Sequence, residues 1–148
     1  MGVMKQVIEQ TIATIQAIPG LGLKLAPTPV DARNISNTIT EKVFSVTMQT
    51  ENTDKFRDRS PAGHMRLGHE LTVSILCRLP PMDQMQGYND AIDIEESIIS
   101  AMLVQASMPT FRTMYETSRR TVIGREANTT EYVLIEVSFS IEQSIGVV

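Results

Sequence analysis

Residues 131–142 read EYVLIEVSFSIE, and their alternation decides the fold. Val133, Ile135, Val137, Phe139 and Ile141 fall on one side of an extended chain; Glu136, Ser138, Ser140 and Glu142 fall on the other. Successive side chains of a strand point to opposite faces, so this stretch predicts a sheet with one dry face and one wet face. Working outward, residues 69–79 repeat the pattern through Leu71, Val73, Ile75, Cys77 and Leu79. Residues 42–50 (KVFSVTMQT) do so through Phe44, Val46 and Met48. Residues 111–124 predict a less regular strand with Arg112, Arg119 and Arg120 on it, and residues 126–130 turn into the last strand.

Two segments carry the helical period instead. Met4, Val7, Ile8, Ile12, Ile15 and Ile18 recur at three- and four-residue steps and predict a helix over about residues 3–17. Pro19-Gly20 stops it, since a glycine there can take the left-handed conformation that closes a last turn. A second helix is expected to start at Asn89 or Asp90, either of which can cap it. Asp93, Glu95 and Glu96 then occupy its first turns, and it runs to about Ala106, before Met108-Pro109. Its apolar arc takes in Ala91, Ile92, Ile94, Ile98, Ile99, Met102, Leu103 and Ala106. That is about half the circumference, more than one sheet contact needs.

Between these elements lie two less regular stretches. Residues 21–40 contain Pro27 and Pro29, neither of which can donate to a ladder, and read as an extended surface crossing. Residues 51–68 (ENTDKFRDRSPAGHMRLG) read as a long arm between two paired strands, with Asp54, Lys55, Phe56, Arg57, Asp58, Arg59 and Arg66 along it. A loop of that size inside one domain is usually functional or disordered, and here it reads as a subunit-interface segment. The expectation is a single α+β domain over residues 1–148: a mainly antiparallel four-stranded sheet, two helices packed on one face, and a long hairpin arm.

Composition excludes more than it proposes. A chain of 148 residues can bury roughly 70% of its unfolded surface. There is no Trp and only 5% aromatic residues, so stacking platforms for bases are not expected. The net charge of −4 gives no support to general nucleic-acid binding, which needs clustered Lys and Arg. No stretch approaches the ~20 apolar residues of a membrane span, and the N-terminus lacks the pattern of a signal peptide. The single cysteine, Cys77, excludes an internal disulfide and fits synthesis in a reducing cytoplasm.

No catalytic grouping emerges. His64 and His69 have no Cys or acidic pair at ligand spacing and read as surface residues, His64 in a loop and His69 opening a strand. Cys77 reads as a small buried hydrophobe rather than a nucleophile. Gly20-Leu21-Gly22 follows a helix, the reverse of a phosphate loop. Asp90, Asp93 and Glu96 fit a helix start better than a hydrolase pair. Glu95 interrupts the apolar arc, where burial without a partner is costly. It either reaches water at the helix end or meets Arg119 or Arg120, in this subunit or a neighbouring one. Catalytic, cofactor-binding and metal residues are therefore expected to be none.

The order of elements resembles a family, the tail terminator or tail-completion proteins of tailed bacteriophages. The resemblance is carried by the amphipathic first helix ending at Ile18-Pro19-Gly20 and by the strand–arm–strand of residues 42–79. Gly87-Tyr88-Asn89-Asp90-Ala91 at the second helix and the alternating last strand, followed by a short tail over residues 143–148, complete it. It implies a non-enzymatic virion protein without cofactor, forming a hexameric ring that caps the tail tube and joins it to the head connector, with DNA passing through the lumen. Its partners would be copies of itself, the tail tube protein and head-connector or neck proteins, with no membrane. The expected subunit contacts are the arm, the second helix through Glu95, Ile99 and Leu103, a strand through Arg119 and Arg120, and the C-terminal strand. Another neck or head-completion protein, or a tail tube protein, fits the same organisation. A small dimeric ligand-binding α+β domain is the reading from a different class.

Overall fold

Two sixteen-residue strands form the spine of the molecule. The computed structural model describes residues 3–27, 29–30, 42–50, 64–80, 82–104, 111–124 and 131–146. In chain order the elements are α1 (Val3–Gln16), β1 (Lys24–Leu25), β2 (Val43–Thr50), β3 (His64–Leu79), α2 (Gln84–Leu103), β4 (Arg112–Gly124) and β5 (Glu131–Gly146). β3 and β5 pair antiparallel along their whole length, from His64 opposite Gly146 to Leu79 opposite Glu131. β2 flanks β3 and β4 flanks β5, both antiparallel, giving the order β1-β2-β3-β5-β4.

The α+β class stands, but the sheet has five strands rather than four. The fifth is β1, two residues paired parallel to β2 through Lys24 opposite Val43 and Leu25 opposite Phe44. It comes from the supposed featureless crossing, and Pro27 lies just beyond its last pair, where a missing N–H costs no ladder bond. Strand lengths differ too. β3 starts at His64, so residues 64–68 belong to the ladder and not to an arm, and β5 continues through residues 143–146, which were expected to be a tail. Each extension supplies the other's hydrogen-bonding partner, which neither segment's own pattern reveals.

The helix-facing rows of β2, β3 and β5 are the alternating residues expected. Phe44, Leu71, Val73, Ile75, Val133, Ile135, Val137, Phe139 and Ile141 are fully buried, with Val7 and Ile15 of α1 and Ala91, Ile94, Ile98 and Met102 of α2 in one cluster. Both helices therefore lie on one face, α1 over β2 and against α2, and α2 over β3, β5 and β4. The opposite face is wet at one end only. Leu76, Tyr132 and Leu134 form a second buried cluster there, with Val30, Val43 and Ile123 packed on it. Val30 donates its N–H to Ser45 Oγ at 3.0 Å, so the segment after β1 covers this corner. That double burial explains the uninterrupted apolar run from Tyr132 to Ile135.

α1 ends as the sequence predicts, with Gly20 at φ +78° in the left-handed region. α2 begins earlier than Asn89. Its N-cap is Asp83, whose Oδ1 accepts from the Gln86 N–H at 3.2 Å. Gly87 had hidden this first turn, since glycine usually weakens a helix. Here a Cβ at Gly87 would lie 2.5 Å from Pro80 Cδ, so the glycine lets the helix pass close to the end of β3. The helix stops at Leu103, short of Ala106, with Val104 already extended.

Cys77 is buried, and burial pushes its thiol up to about 11, with Lys42 pulling slightly the other way. A folded-state value above the unfolded one favours the native state at pH below about 9 and loses that contribution as pH rises to about 11. The stability difference between wild type and Cys77→Ala should therefore shrink across that window, by as much as about 3 kcal/mol at 1.36 kcal/mol per pH unit. Urea unfolding at a series of pH values checks this, and a pH-independent difference would sink it.

Candidate functional site

The margin where α2 overhangs β4 holds the most charged part of the interior. Residues 91, 94, 95, 98 and 102 of α2 form its sheet-facing stripe, and the fourth-turn logic that buries Ala91 and Ile98 also buries Glu95. Arg120 stands opposite Ile135 in the ladder, on the helix side of β4. Its Nε and Nη2 both donate to Glu95 Oε2, at 3.0 and 2.5 Å. The carboxylate is 3% exposed and the guanidinium 40% exposed, so the pair closes the core at the edge of the sheet. The hydrogen bond to Glu95 is the largest influence holding Arg120 more firmly protonated than a free guanidinium.

Of the two arginines expected for Glu95, the structure selects Arg120 from the same chain. Arg119 points to the other face, opposite Glu136 in register. Ile99 is half-buried against the main cluster, while Leu103 is exposed at the end of α2. Asp54, Lys55, Phe56, Arg57, Asp58 and Arg59 lie outside the described residues. The C-terminal strand is flanked by β3 on one side and β4 on the other, so both its edges are occupied. Among the described residues β4 ends the sheet.

Apolar side chains lie exposed on both faces of β4 and at the end of α2. Tyr115 packs edge-on to Phe139, 6.2 Å between centroids at 71°, and its hydroxyl bonds Ser118 Oγ at 2.8 Å. Met114, Val122, Leu103 and Val104 are exposed. Glu95 Oε1 on α2 and Thr113 Oγ1 on β4 are buried with no hydrogen-bond partner among the described residues.

A second polar grouping was not legible. His69, expected on the surface, is 2% exposed. Its Nε2 lies 2.8 Å from Gln143 Oε1 and its Nδ1 3.1 Å from Thr50 Oγ1. Gln143 Oε1 can only accept, so Nε2 carries a proton, and a neutral ring then accepts the Thr50 hydroxyl at Nδ1. The chain of three crosses β2, β3 and β5 just where β2 gives out. The only signal for it was His69 sharing the parity of Leu71 and Val73.

Clefts are present among the described residues. One of about 330 Å³ lies between the end of α1 and α2, with Lys42, Asp90, Asp93 and Ser97 on its wall. Another, about 410 Å³, lies against β2 and is lined by Thr47, Met48, Gln49, Glu70 and Thr72. Among the described residues there is no group of three or more His, Cys, Asp or Glu able to hold a metal ion, and no helix long and apolar enough to cross a membrane.

Removing one partner of a buried pair strands the other charge. Arg120→Ala should cost about 2 kcal/mol, less than for a fully buried pair because solvent reaches Arg120. Glu95→Met should cost less than Arg120→Ala, because the charge it leaves behind, on Arg120, reaches solvent, whereas Arg120→Ala strands the buried Glu95 carboxylate; chemical denaturation of both variants checks the order. His69→Ala leaves Thr50 and Gln143 facing a void and should cost about 2–4 kcal/mol in the same measurement. A loss below about 1 kcal/mol would show that the three-residue chain is dispensable.

No protein-family model matches this sequence, and no curated protein is similar to it.

Proposed function

We propose that this chain is a structural subunit of a phage virion neck, a tail-terminator-like protein whose copies close into a ring, most simply a hexamer, around the path of the DNA. In this reading the ring ends the tail tube and meets the head connector. The protein is made in the host cytoplasm, resides in the virion and turns over no substrate. The supporting observation is the two-faced sheet. Helices cover one face, and the other presents a band of short polar side chains: Thr47, Thr72, Ser138, Ser140, Thr117 and Thr121. Such a band suits the wall of a water-filled passage, wetting it without a field of cations to grip phosphates. Acids and arginines are interspersed there as Glu136 opposite Arg119 and Glu142 opposite Arg112. Another neck protein or a tail tube subunit would use the same features.

The cleft beside Lys42, Asp90 and Asp93 favours a second reading, a small ligand-binding domain that dimerises through a sheet edge.

Light scattering after size exclusion, over a range of concentrations and with negative-stain imaging, separates the two. Annular particles near six times 16.4 kDa are the expected outcome. A stable dimer without rings would transfer the assignment to the ligand-binding alternative.

A further inference from the structure

We infer that β4 of one copy pairs antiparallel with the open half of β2 of the next copy, so that the sheet continues across the subunit boundary. This rests on the ring reading and names its contact. The two edges differ, as a head-to-tail contact requires. β4 ends the sheet with thirteen residues and, among the described residues, no strand outside it. At the opposite end β1 covers β2 only at Val43 and Phe44, leaving residues 46–50 without an outer strand among those described. An uncovered edge is a template for another strand.

Strand direction fits the pairing. β2 opposes β3, β3 opposes β5 and β5 opposes β4, so β4 runs opposite to β2. A rotation about an axis along the strands preserves direction and brings β4 beside the next β2 antiparallel, the pairing the sheet already uses. Charge does not oppose the pairing: Arg112 and Arg119 of β4 stand opposite Glu142 and Glu136, and Arg120 bonds Glu95, so the strand's cations are balanced within the chain. β2 carries no charged residue, and Glu70 stands beside it, opposite Gln49. On the open face the β2 end is concave at Thr47, Gln49, Glu70 and Thr72, and Met114 projects from β4 on that same face, 63% exposed; Val122, 52% exposed, projects on the helix side.

The test mixes two full-length chains, one with Thr47→Cys or Gln49→Cys on β2, the other with Thr117→Cys or Thr121→Cys on β4. They are joined by oxidation or a short bismaleimide. Cys77 is buried and stays out of the reaction. Crosslinked dimers that need one chain of each kind are expected. In parallel, Val122→Lys should raise the concentration at which assembly is half-complete by roughly tenfold or more, about 1.4 kcal/mol at the contact, with the circular dichroism spectrum unchanged. Rings that form normally without the mixed crosslink, and that ignore Val122→Lys, overturn the edge pairing and leave the ring reading standing. Dimers crosslinked through β4 alone overturn both. A chain that stays monomeric at every concentration and gives no crosslink also overturns both.

Discussion

The β3–β5 ladder is the constraint on which everything else depends. Sixteen residue pairs in one antiparallel register place Leu71, Val73 and Ile75 against Phe139, Val137 and Ile135 on the helix side. A slip of one residue would carry that whole row to the open face. Each fully buried aliphatic or aromatic side chain contributes roughly 1.5–3 kcal/mol, so the row fixes the register far more firmly than any single polar contact could. β2 and β4 then take their faces from the spine, and the helices have only one dry surface to cover.

Against that background the Glu95–Arg120 pair is small in energy but decisive in position. It is comparable with a single buried side chain, and an apolar pair of the same volume would serve stability as well. It requires one placement of α2 over β4, because a carboxylate buried in the helix's apolar stripe has its cation on the edge strand. The His69 chain does the same at another margin, tying β2, β3 and β5 at Thr50, the last described residue of β2. The core thus ends in polar links at two margins.

Much of this was legible from patterns with a short period. The alternating rows of residues 42–50, 69–79 and 131–142 and the stripe of α1 need only local geometry, and the structure reproduces them. The anomaly at Glu95 was also readable, because an acid inside an apolar arc demands a partner. The choice of Arg120 over its neighbour was not, since it depends on which face of β4 turns inward, and the bulge between Tyr115 and Thr117 resets that parity. The early start of α2 was masked by Gly87, whose reason is the ring of Pro80, just past the end of β3.

The sequence by itself determined the α+β class, the core-facing residues of each long strand, the buried state of Cys77 and the stop of the first helix. All of these follow from side-chain alternation, helical period and the backbone freedom of glycine within a few residues. Only the tertiary structure decided the strand order, the parallel β1, the full length of β3 and β5, the burial of His69 and the partner of Glu95. Those depend on contacts between segments far apart in the chain. Residues 64–68 and 143–146 show the difference most plainly: neither has a pattern that demands a strand, and each is one because the other lies beside it.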